Sequence, residues 1–245
     1  MPNDTASGYL KRSLDYLLQP GNLAYCGALA AALITAQLLQ TPALHDISLI
    51  LQTLIGLLLA LFAVKMLDSM KRITLGHENE PVPMNAVSVL PAKTAIQYIA
   101  GMGIYGALIY LLCYLSPENS TYIAYTGIFL LYTITPAIIQ SLFDNGGMSA
   151  IFSPGAWKTA MGDIGGGRYF IALIIPFGIA LFIAVTYSVI ALVIPGVNQN
   201  SSGGYYLNAI LRGLVRTAYL SLPWIYFAWY LPPPAETIDP EAIDI

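Results

Sequence analysis

Few side chains in this chain carry charge: Asp, Glu, Lys and Arg make up 9% of the 245 residues, against 57% hydrophobic residues. A soluble domain carries about a quarter charged residues, so this composition excludes one. It also leaves no basic patch on which a nucleic acid could bind. Cysteine is nearly missing too. Cys26 and Cys113 each lie within an apolar run, near opposite faces of the bilayer in the topology derived below, and read as small buried apolar residues rather than a disulfide. The two histidines, His45 and His77, fall on opposite faces, so His77 with Glu78 and Glu80 reads as solvated loop rather than the start of a metal site. Residues 162–168, GDIGGGR, lack the Lys-Ser/Thr ending of a phosphate loop and follow no strand, which leaves a flexible hinge. The triplet at Asn119 matches a glycosylation sequon, but such triplets arise by chance and no glycan is expected. There is no Ser/His/Asp set, no carboxylate relay within the apolar runs and no facing His pair for haem. The expectation is a protein that is not an enzyme, with no catalytic residue, metal or cofactor.

What remains is a series of apolar runs, read as an all-α, polytopic transmembrane bundle of six spans arranged as three hairpins with interfacial amphipathic helices. Residues 8–19 place Tyr9, Leu10, Leu14, Leu17 and Leu18 on one side and Lys11, Arg12 and Asp15 on the other. That is a short helix lying flat on the membrane. Pro20 and Gly21 break it. The first span then runs from about Asn22 to Leu39, with Gly27 and Ala31 four apart, and the second from about Ile47 to Leu67, with Gly56 and Ala60; both pairs would let another helix approach. Lys65, Lys71 and Arg72 form a cationic end. A loop punctuated by Gly76, Pro81, Pro83 and Pro91 leads to the third span, about Thr94–Leu115, rich in small residues such as Gly103 and Gly106. The fourth, about Ile123–Leu142, carries Pro136, expected to kink it. Pro154–Ile164 forms a surface helix with Trp157 and Lys158, and the fifth and sixth spans cover Tyr169–Ile194 and Tyr205–Leu231.

The loops at 41–46 and 195–204 hold no Lys or Arg, whereas Lys11, Arg12, Lys65, Lys71, Arg72, Lys93, Lys158 and Arg168 all fall on the other side. By the positive-inside bias both termini face the cytoplasm, and the charge-sorted layout points to a bacterial inner membrane. Three regions follow: an interfacial helix at 1–20, the six-span body at 21–231, and an acidic, Pro-rich cytoplasmic tail at 232–245. A surface segment precedes each odd-numbered span, near 8–19, 84–93 and 152–165, which suggests one unit used three times.

The connections KRITLGHENEPVP after the second span and TPAIIQSLFDNGGMSAIFSPGAWKTA at the end of the fourth and beyond it resemble those of a broad group of uncharacterised bacterial membrane proteins. These resemble in turn the membrane domains fused to glycerophosphodiester phosphodiesterases. The resemblance implies an architecture and carries over no functional residue. The catalytic phosphodiesterase domain has no counterpart here, so that activity is not expected.

One face breaks the apolar pattern. Arg212 and Arg216 sit four apart in the last run, with Asn208, Tyr219 and Pro223 on the same side at steps of three and four. Counted from Tyr205, Arg212 would lie about 10 Å and Arg216 about 16 Å into a core about 30 Å thick. Two guanidiniums with Asn208 and Tyr219 could hold a lipid phosphate or another anion. Alternatively they are paired inside the bundle, or the stretch before Leu214 lies at the outer interface and they snorkel outward. Two functions stay open. One is a non-catalytic accessory or scaffold subunit bound to other integral membrane proteins. The other is a transporter or lipid-handling protein with an anion or headgroup site at the arginine pair, membrane lipids being its partners.

Overall fold

The computed structural model describes residues 6–38, 45–83, 85, 87–193 and 202–233. The uncharged loops at 41–44 and 194–201 and the acidic tail from 234 onward lie outside the described residues. Among those described the secondary structure is helical throughout, with no strand: α1 Ala6–Leu17, α2 Pro20–Leu38, α3 His45–Thr74, α4 Ala92–Leu115, α5 Ser120–Asn145, α6 Met148–Phe152, α7 Pro154–Ile164, α8 Gly166–Val193 and α9 Ser202–Ala228, with a 3₁₀ turn at Pro117–Asn119 between α4 and α5. Five helical stretches are long and apolar enough to cross a membrane: Pro20–Leu38, Thr53–Thr74, Ala92–Leu115, Pro117–Asn145 and Gly166–Val193. The protein is therefore a multi-pass membrane protein in its composition and helices. The 27-residue α9 is long enough but is not among the five, because Arg212, Arg216, Asn208, Thr217 and Ser221 dilute its apolar content.

The chain divides into two compact units: Met1–Met66, Glu78–Ala86 and Ile175–Tyr226 form the first; Leu67–His77, Val87–Ile174 and Phe227–Ile245 form the second. In the first, the α1–α2 corner is covered by the segment that follows α3. Gln19 Nε2 donates to the Glu78 carbonyl at 2.9 Å and Asn22 Nδ2 to the Tyr16 carbonyl at 2.9 Å. Gly21 is needed here for closeness: a Cβ on it would stand 2.5 Å from the Val82 carbonyl oxygen. Lys65 is 1% exposed. Its Nζ donates to the Pro83 carbonyl at 3.1 Å and lies 5.2 Å from the Tyr25 ring centroid, a cation–π contact that offsets part of its desolvation.

Small residues do bring helices together, at positions other than those the spacing suggested. Beside Gly27, Gly56, Gly103 and Gly106 a Cβ would meet nothing within 4 Å. The close approach in the first unit is at Gly213, where a Cβ would lie 2.3 Å from Ile34 Cγ1 and 3.3 Å from the Ala30 carbonyl. Ala209, Gly213, Thr217, Ser221 and Ile225 form a buried row at steps of four along α9, and Thr217 and Ser221 turn their hydroxyls back to the carbonyls of Gly213 and Thr217. Such a row of small side chains lets two helix backbones touch closely.

In the second unit α4 and α5 pack along each other, with Gly127 against Ile109 and Gly101 against Ile151 of α6. Tyr105 of α4 donates to the Ile151 carbonyl at 3.0 Å, and Trp157 Nε1 of α7 to the Ala150 carbonyl at 2.9 Å, so α6 is held from both sides. Gly146 and Gly147, at φ +65° and +81°, make the turn out of α5 that a side chain would strain. Pro136 and Pro176 lie inside α5 and α8. A proline removes one helical donor and loosens the turn before it. At each loosened turn the other helix supplies a hydroxyl: Tyr169 donates to the Thr133 carbonyl, three residues before Pro136, and Tyr132 to the Leu173 carbonyl, three before Pro176.

The three-fold repeat does not hold at its middle member. α1 and α7 are helices, but the described part of 84–93 is irregular up to Pro91, because its backbone donors are taken up elsewhere, by Asp68.

Candidate functional site

Asp68 was expected in a loop just beyond the second span. Instead α3 continues through it to Thr74, and Asp68 is fully buried, at 0% exposure. Its Oδ1 accepts from the amides of Ser88, Val89 and Leu90 at 3.1, 2.7 and 2.9 Å, and its Oδ2 from the Ser88 hydroxyl at 2.7 Å. Arg72, also buried, donates from Nη1 to Ser88 Oγ at 3.2 Å. A buried carboxylate with four donors is satisfied as an ion. The cluster fastens residues 88–90 to the end of α3, and its coordination sphere is filled by the protein itself, so it is a structural clamp. Lys65 and Arg72, expected at the interface as a cationic helix end, are both buried instead, Arg72 in this cluster and Lys65 against the Pro83 carbonyl.

The arginine face of α9 is arranged differently. Arg212 is half-buried and its Nε donates to the Tyr187 hydroxyl of α8 at 2.9 Å; that hydroxyl donates in turn to Asn208 Oδ1 at 2.8 Å. The chain Arg212–Tyr187–Asn208 orients one guanidinium by its inner nitrogen, and its two terminal nitrogens have no partner among the described residues. Arg216, one turn on, is exposed and makes no hydrogen bond or ion pair with a described residue. Tyr219 is 48% exposed and likewise stands apart, while Pro223 is buried within α9. Of the four residues singled out by spacing, the structure joins Arg212 and Asn208 and leaves Arg216 and Tyr219 outward. The residue that spacing missed is Tyr187, which joins them. Its signal was the polar triplet Thr186-Tyr187-Ser188 within a long apolar run.

A second polar feature lies in the second unit. The end of α5, α6 and one face of α7 enclose an open cavity of about 360 Å³ lined by Ser141, Asp144, Asn145, Ser149, Thr159 and Asp163 among others. Ser153 caps α7, accepting from the Ala156 amide at 3.3 Å. The surface helix expected at Pro154–Ile164 is α7, and Ala156, Thr159, Ala160 and Asp163 are spaced to share one of its faces. Among the described residues no group of three or more His, Cys, Asp or Glu is placed to hold a metal ion.

Compared with protein-family models, with curated proteins and with solved structures, the chain matches none of them.

Proposed function

We propose that the protein is a non-catalytic accessory or scaffold subunit of a larger complex in a bacterial inner membrane, crossing it six times with both termini in the cytoplasm. The 27 residues of α9 span about 40 Å as a helix, enough for the sixth crossing. The inward clustering of Lys and Arg along the sequence supports the orientation.

The observation that carries this reading is Arg216. It lies near the middle of α9, exposed, without a partner among the described residues. A guanidinium at that depth is costly in hydrocarbon unless an anion meets it, and a carboxylate on a neighbouring membrane protein would do so. The outward faces of α4 and α8, with Gly103, Gly106 and Gly178 open beside them, offer surface for the same association. The second reading, an anionic lipid headgroup at this face, is favoured by the fixed orientation of Arg212, whose terminal nitrogens have no partner among the described residues and suit a phosphate.

Extraction from native membranes in a mild detergent, followed by native mass spectrometry, tests both. A co-purifying protein that is lost with Arg216→Ala supports the subunit reading. A bound anionic phospholipid lost with Arg212→Ala and Arg216→Ala together supports the headgroup reading. A lone, lipid-free wild-type chain would end both.

A further inference from the structure

The polar face of α9 is a set of donors without an answering acid. α9 meets α2 at Gly213 and α8 at Tyr187, and none of α2, α8 and α9 contains an Asp or Glu. Arg212 and Arg216 therefore bring two positive charges to one helix face, four residues apart, where side-chain β-carbons stand about 6 Å from each other. The Tyr187 hydroxyl accepts from Arg212 Nε and donates to Asn208 Oδ1. That fixes the edge Arg212 presents. With its inner nitrogen engaged, a ligand meets the two terminal nitrogens, and Arg216 stands exposed one turn further on. The acceptor atoms of the chain, the Tyr187 oxygen and Asn208 Oδ1, are already engaged. What the two arginines offer is N–H donors alone, which suits an oxyanion and not an amine.

The count of charges narrows the oxyanion. In surroundings of low dielectric a charge left over is costly, so the favoured ligand is the one that cancels both guanidiniums. A phosphodiester carries one negative charge and leaves one arginine unmatched. A phosphomonoester carries about −1.5 to −2 near neutral pH and has three terminal oxygens to share between the two side chains. We propose that Arg212 and Arg216 together bind a phosphomonoester dianion in preference to a phosphodiester, with Tyr187 and Asn208 as positioning residues that set the guanidinium of Arg212. The inference rests on the headgroup reading of this face given above and adds which phosphate it takes. The monoester is either the headgroup of a phosphatidic acid or a soluble phosphate ester.

The test uses the full chain at about pH 8, where a monoester is almost wholly dianionic. In detergent micelles the protein is titrated calorimetrically with methyl phosphate and with dimethyl phosphate. In nanodiscs of phosphatidylcholine doped with phosphatidic acid or with phosphatidylglycerol, the lipid it retains is read by native mass spectrometry. The monoester is expected to bind about tenfold more tightly than the diester in at least one format. Preference between the two lipids assigns the site to a headgroup, and preference between the soluble esters alone assigns it to a soluble ester. Arg216→Gln removes one charge at an exposed position and should abolish the preference, whereas Arg216→Lys keeps the count of charges and should retain most of it. Tyr187→Phe leaves both charges but releases Arg212, and should narrow the preference without abolishing it. Equal binding of monoester and diester in both formats would overturn this inference and leave the headgroup reading standing. Failure of all four compounds to bind would remove that reading as well, and a preference undiminished in Arg216→Gln would place the phosphate elsewhere and overturn the assignment.

Discussion

At Gly213 the backbone of α9 comes so close to α2 that a single methyl would lie 2.3 Å from Ile34 Cγ1. Substituting Gly213→Ala should therefore destabilise the folded protein by about 1–3 kcal/mol, the usual cost of overpacking a filled contact. Gly27→Ala should be neutral or slightly stabilising, since open space surrounds it and alanine is the better helix former. Thermal unfolding of both variants in the same detergent checks the contrast, and equal melting temperatures would count against the α2–α9 contact. Spacing alone could not tell these glycines apart. Both belong to small-residue steps of four, and only the position of the facing helix decides which one is used. Arg212 shows the same limit from the other side: its neighbour Asn208 was legible from spacing, whereas Tyr187, which links them, is 25 residues away in sequence.

Among the elements, those whose ends are set by local signals were readable from the sequence. α7 runs over Pro154–Ile164 as expected, with Ser153 as its cap, and α4 ends at Leu115. The end of α3 was not readable. Lys65, Asp68, Lys71 and Arg72 look like the edge of a span when solvent is assumed to receive them. Here three of the four are buried and met by protein groups 16–22 residues further along. Asp68→Asn keeps the shape but removes the charge that three amides converge on. It should cost about 2–3 kcal/mol, the worth of hydrogen bonds to a charged group, and free the segment it clamps. Hydrogen exchange at Ser88, Val89 and Leu90 should rise sharply in that variant, and unchanged protection there would refute the clamp.

For the molecule as a whole, the shortage of charge was enough to establish membrane class and helical architecture, since every backbone group in lipid must bond within its own segment or a closed barrel. The number of crossings rests on α9, whose polar residues lower its apolar content while serving the α2 contact and the Tyr187 chain. A reporter active only in the cytoplasm, fused after Ile245, should be active, and the same reporter inserted after Arg168 should be active as well. Activity at Arg168 with silence at the C-terminus would mean that α9 does not cross.

The exchange of tyrosine hydroxyls between α5 and α8 has a consequence for how the chain is made. α5 leaves the ribosome before α8, so the loosened turn ahead of Pro136 enters the bilayer without the hydroxyl of Tyr169. Until the later helix arrives, the Thr133 carbonyl lacks this second donor, so the contacts around Pro136 are complete only once α8 has been made, and the order of synthesis becomes part of the order of assembly.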